Sequence, residues 1–103
     1  MTAPSATAPA ITHHDNGTNG RYVARLASGA EAELTWHERQ PGVVVFDHTY
    51  VPPAFRGHDV ALRLVERGIA DARAAGLKIV PQCPYVAVQF RRHPDWSDVL
   101  ASS

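Results

Sequence analysis

The chain has 103 residues, of which 45% are hydrophobic and 19% charged, and its ten basic and ten acidic side chains leave zero formal charge. That length supports one domain with one core. Neutrality without a dense basic run gives no electrostatic pull toward nucleic acid or an anionic membrane, and no apolar run approaches the roughly 20 residues of a spanning helix.

The opening stretch, "MTAPSATAPAITHHDNG", has neither the basic start nor the apolar core of a secretory signal. Residues 1–19 are poor in large apolar groups. They are expected to form a flexible tail, because they bury too little surface to offset their ordering entropy. His13 and His14 are adjacent histidines without the further ligands a metal site needs, so no metal is expected. The single cysteine excludes an internal disulfide and suits a reducing compartment, with the cytoplasm as the default.

From Gly20 a single domain, residues 20–103, is expected. In "RYVARL", Tyr22, Ala24 and Leu26 alternate onto one face; in "EAELTWHE", Ala32, Leu34 and Trp36 alternate with polar residues, including a solvent-facing His37. "VVVFDHTYV" (43–51) is more continuously apolar and reads as an interior strand. Short connections predict an antiparallel meander, with 22–26 as an exposed edge that could pair between chains; oligomeric state stays open. "PPAFRG" breaks the strand, and Leu62, Val65, Ile69 and Ala72 then mark one face of a helix stopped by Gly76. "LKIV" is a short fourth strand. Pro84 opens a second helix, Pro94 follows its end, and "DWSDVL" forms a last turn. The order β-β-β-α-β-α is an α/β fold with a mostly antiparallel sheet and helices packed on it.

Three places have the residue types for chemistry. At the strand–helix junction, Arg56 and Gly57 precede a helix start, where unpaired amides and a fixed cation suit a pyrophosphate; the same pair also makes an ordinary turn. Cys83 stands just before Pro84, so it is either an N-cap thiol, whose thiolate the helix would favour, or a small buried apolar side chain. By alternation His48 shares a face with Val44, Phe46 and Tyr50, where it is either a general base or a histidine satisfied by one hydrogen bond.

Taken together, His48-Thr49, Val51-Pro52, Arg56-Gly57, Pro81, Cys83, Tyr85-Val86 and His93-Pro94 follow one another in a specific order and spacing, within a stretch of roughly residues 20–100. This stretch resembles the small GCN5-related N-acetyltransferase-like proteins, a minimal version of the acetyltransferase fold. The resemblance implies acetyl-CoA as co-substrate and an amine acceptor, a small amine, a lysine or a protein N-terminus. It implies that Arg56, Gly57, His58, Asp59, Val60 and Ala61 form the pyrophosphate loop and that Val51 lines the pantetheine arm by backbone pairing. Cys83 then lies near the acetyl group, either as an acetyl-thioester or as a wall, and His48 beside it. Asp59 departs from the family pattern, which has glycine there. Its carboxylate either caps its own helix, taking donors that CoA would use, or points away and leaves the amides free. Asp59 motivates the alternative of a CoA-binding module or sensor without turnover.

Overall fold

The computed structural model describes residues 10–27, 29–57 and 59–101. A five-stranded sheet, in the order β1 (Ile11–Asp15), β2 (Asn19–Arg25), β3 (Glu31–Gln40), β4 (Val43–Tyr50) and β5 (Lys78–Pro81), forms one layer. The first four strands are an antiparallel meander, and β5 joins β4 in parallel after the crossover helix α1 (Val60–Ala75). Helix α2 (Pro84–Arg92) and a 3-10 turn at Pro94–Val99 complete the chain. Side chains from α1, α2 and the last turn share one core with Leu34, Val44 and Phe46, so the helices cover one face of the sheet. The opposite face carries charged pairs such as Arg21–Glu33 and Arg25–Glu31.

The expected tail is corrected from Ile11 onward; residues 1–9 lie outside the described residues. The segment folds because "DNGTN" is a turn: the Gly17 amide donates to Asp15 Oδ1 at 2.9 Å and the Thr18 amide to Asn16 Oδ1 at 3.1 Å. β1 therefore occupies the sheet edge that was expected at residues 22–26. What anchors it is aromatic rather than aliphatic: His13 stacks on Tyr22 at 4.1 Å and accepts a hydrogen bond from Trp36 Nε1 at 3.0 Å.

Helix α1 buries Val60, Leu64, Val65, Gly68, Ile69 and Ala72, with Leu62 only half-buried at the margin of the stripe. Gly68 faces the Phe46 ring; a Cβ there would stand 2.7 Å from it, so the missing side chain sets how closely the helix lies on β4. Gly76 ends the helix in the left-handed conformation, as the sequence predicts.

One irregularity decides how the site is built. Trp36 pairs with Phe46 but its neighbour Thr35 pairs with His48, so Asp47 is an extra residue, a β-bulge. Beyond it the alternation is inverted. Thr49, paired with Leu34, comes onto the helix-covered face, and His48 turns to the outer one, where it is exposed.

Candidate active site

β4 and β5 pair only from Val43–Lys78 to Phe46–Pro81, and the Cys83 amide closes the ladder with a 3.0 Å bond to the Phe46 carbonyl. β4 runs on to Tyr50 while the other chain turns into α2. The two strands therefore part just past the bulge. Pro84 is the first residue of α2 and Cys83 its N-cap, with extended backbone and no side-chain capping bond. The thiol is buried, at 7% exposure, and its sulfur lies 3.5 Å from Thr49 Oγ1. Thr49 in turn lines a cleft in front of it.

That cleft has a volume of about 460 Å³ and lies between the end of β4, the start of α1 and one side of α2. It brings together Val51, Arg56, Gly57, Asp59, Val60 and Ala61, six of the residues singled out in the sequence. His58 lies outside the described residues. Gly57 has φ of 88°, and open space surrounds the position its Cβ would occupy, so it supplies a backbone turn and an unobstructed approach. Val60 to Leu62 form the first helical turn, whose amides have no intrahelical partner. These donors, at the positive end of a 16-residue helix, suit an anion.

Asp59 is the one non-glycine residue with positive φ among the described residues, at 61°. It is the N-cap of α1, but its carboxylate makes no capping bond; only its carbonyl enters the helix, accepting from the Arg63 amide at 3.0 Å. The self-capping alternative is thus set aside, and the first-turn amides keep their hydrogens available. The charge is still felt in the cleft. Burial holds the Tyr85 phenol above its ordinary range, and the Asp59 carboxylate adds to that shift.

Two expectations are revised by geometry. Arg56 Nε donates to the Val51 carbonyl at 3.0 Å, so the guanidinium braces the loop. His48 was expected to share a face with Phe46; the bulge at Asp47 puts it on the opposite face from Cys83, and Thr49 takes the position beside the sulfur.

The cleft also contains residues that the sequence reading passed over. Tyr85, Gln89 and Arg92 project from α2 into it at spacings of four and three, one helical face. Gln89 is 6% exposed yet lines the cleft, and Arg92 adds a second cation opposite Arg56. That spacing was a usable signal, obscured because each residue is ordinary by itself. Among the described residues no group of three or more His, Cys, Asp or Glu side chains is placed to hold a metal ion. No helix among them is long and apolar enough to cross a membrane.

With this geometry in hand, comparison with known proteins gives two findings. A sequence model described as GCN5-related N-acetyl-transferase matches residues 21–99. The fold is similar to the solution structure of a GCN5-like candidate N-acetyltransferase from Staphylococcus aureus, with a TM-score of 0.68 and 21% identity over 91% of this chain and 89% of that one.

Proposed function

This chain belongs to the GCN5-related N-acetyltransferase family of acyltransferases, and from that premise we propose that it transfers the acetyl group of acetyl-CoA to a primary amine, using the cleft at the start of α1. The observation that carries the proposal is a continuous path. Gly57, Asp59 and the first-turn residues Val60 and Ala61 open the cleft with an anion-ready backbone, Val51 and Thr49 line it, and it ends where Thr49 meets the Cys83 sulfur beside the parted strands.

Each residue then has a role that follows from its chemistry. The first-turn amides of α1 bind the pyrophosphate, with Arg56 and Arg92 as flanking cations. Val51 meets the pantetheine arm through its backbone, beside the Arg56 brace on its carbonyl. Thr49 and Cys83 form the wall against which the acetyl group rests. The neutral amine nitrogen attacks the thioester carbonyl carbon, the C–N bond forms, the C–S bond breaks as the CoA thiolate leaves, and the proton the nitrogen sheds passes to that thiolate or to solvent. Backbone N–H groups freed where β4 and β5 part are suited to the negative charge that develops on the carbonyl oxygen.

Asp59 favours a second reading, a CoA-binding module without turnover, because its charge acts in the same cleft as Tyr85. One experiment separates the two. The purified chain is titrated calorimetrically with acetyl-CoA, then mixed with an amine panel and its own intact mass measured. Binding with amine acetylation supports the transferase; binding without transfer to any amine leaves the module. A gain of one acetyl group on the protein that Cys83→Ala abolishes assigns an acetyl-thioester to Cys83, whereas normal transfer by Cys83→Ala makes the sulfur a wall. No binding overturns both readings.

A further inference from the structure

A buried polar side chain in the cleft has no partner in the protein. Gln89 is 6% exposed, the one buried polar residue among those described, and it lines the cleft with Tyr85 and Arg92. Its backbone is well held. The carbonyl accepts from His93 Nδ1 at 2.8 Å, and the His93 ring stacks on the buried Trp96 at 4.0 Å. The last turn of α2, whose carbonyls would otherwise be unpaired, is thereby fixed in place. The side-chain amide of Gln89, in contrast, makes no hydrogen bond. No fully enclosed side-chain nitrogen or oxygen among the described residues lacks a partner, so this amide reaches the open space of the cleft. Two N–H donors and a carbonyl acceptor therefore stand there unspent.

The surroundings say what kind of group it meets. The cleft is charged at its mouth and neutral at depth: Arg56, Asp59 and Arg92 are exposed, whereas Val60 and Gln89 are the two buried members of the lining. A phosphate or an ammonium at the depth of Gln89 would lose its water without gaining a counter-ion. A neutral group with its own donor and acceptor loses little there, because it exchanges hydrogen bonds to water for hydrogen bonds to Gln89. A secondary amide is such a group. The thioester belongs elsewhere, at the Thr49–Cys83 end. Gln89 follows Cys83, the N-cap, by six residues, about 9 Å along the helix axis.

We propose that Gln89 is a specificity-determining residue whose side-chain amide recognises an amide of the pantetheine arm. This rests on the reading of the cleft as an acetyl-CoA site, whether or not turnover follows. Between its phosphates and its thioester the arm carries two secondary amides and no charge. With the phosphates at the first turn of α1 and the acetyl group at Cys83, the arm passes the stretch of α2 that presents Gln89. Nε2 donates to an amide carbonyl of the arm, or Oε1 accepts from an amide N–H. Val51 meets the arm from the strand side and Gln89 from the helix side. The contact favours a thioester carried on this arm over a nucleotide that lacks it.

The test reads the arm and the nucleotide separately. Wild type and Gln89→Leu are titrated calorimetrically with acetyl-CoA and with ADP, which carries the pyrophosphate without the arm. In wild type the side-chain NH2 pair of Gln89, assigned through its own backbone, is followed in 15N–1H correlations during both titrations. Leucine is of similar size and no protein hydrogen bond is lost, so the variant should melt no lower than wild type. The expected result is an acetyl-CoA affinity about tenfold weaker, with ADP affinity unchanged. The wild-type NH2 pair moves with acetyl-CoA and stays in place with ADP. An acetyl-CoA affinity equal to wild type, or an equal loss for both ligands, overturns the proposal while leaving the acetyl-CoA reading intact. Should Gln89→Leu fail to fold, a wild-type pair that stays in place under saturating acetyl-CoA overturns it alone. A wild type that binds no acetyl-CoA overturns both.

Discussion

The layer between α1 and the sheet is hollow at both ends, and the two hollows are built on opposite terms. At the carboxyl-terminal end of α1 a cavity of about 230 Å³ is lined by His13, Tyr22, Trp36, Phe46 and Asp71 among others. There nearly every polar group is spent on a neighbour. Tyr22 donates to Asp71 at 2.9 Å, Asp71 also accepts from Arg67, and Arg67 donates to the Ile11 carbonyl at 3.2 Å and lies over the Tyr22 ring. At the amino-terminal end the cleft keeps first-turn amides and an N-cap carboxylate with no capping bond. Hollow space is therefore a poor guide to function by itself. What distinguishes the working end is unspent hydrogen-bonding capacity, because a ligand replaces water only where the protein has not already done so.

The largest expected effect breaks the closed end. Tyr22 is 3% exposed, and burial together with its bond to Asp71 holds the phenol far above its ordinary range. Tyr22→Phe removes that bond and leaves one Asp71 oxygen to Arg67 alone, which costs about 1–2 kcal/mol of stability. Denaturant midpoints measure the loss, and calorimetry should find acetyl-CoA affinity unaltered. A parallel fall in affinity would mean that the two ends are coupled through α1 and that the contrast drawn here is wrong.

The next effect sharpens the open end. Asp59 stands in a left-handed conformation that glycine adopts without penalty, and it places a negative charge near the expected phosphates. Asp59→Gly should raise stability by up to about 1 kcal/mol through relief of that backbone. Removing one charge at contact distance in water, worth about 1 kcal/mol, should tighten acetyl-CoA binding about fivefold. The Tyr85 phenol should titrate lower than in wild type but still above the usual range, since burial, the larger cause, remains. A Tyr85 titration that does not move would show that the carboxylate points out of the cleft.

How much of this was legible in the sequence differs between the same two ends. The meander, α1 with its Gly76 stop, and Cys83 before Pro84 could all be read, because each is announced by a local period or a residue of special geometry. Arg56, Gly57, Asp59, Val60 and Ala61 stand together in the sequence and line one cleft, which a contiguous motif makes visible. β1 was not, because its burial depends on His13 against Tyr22 and Trp36, side chains distant in sequence and not counted as apolar. The face expected for His48 was missed for a different reason. Period-two reasoning presumes an unbroken ladder, and the extra residue at Asp47 moves every later side chain of β4 to the other face.

The smallest effect concerns the surface below the closed end, where Arg73 near the end of α1 grips Asp98 of the last turn with bonds of 2.7 and 2.8 Å. Both side chains are exposed, so solvent and salt screen most of what the pair contributes. Its signature is a dependence on pH and not a large shift in midpoint. The Arg73 hydrogen bond holds the Asp98 carboxyl below its ordinary value of 3.8, so folding favours the ionised form. The contribution is complete above the unfolded value and is lost as pH falls through the lower folded one. Asp98→Asn should therefore melt slightly below wild type at neutral pH, and the gap should close in acid and in high salt. A gap that persists in both would mean that Asp98 acts through its neighbours in the turn, where Lys78 donates to its carbonyl, and not through its charge. The cleft, at the other end of α1, should bind acetyl-CoA equally well in either case.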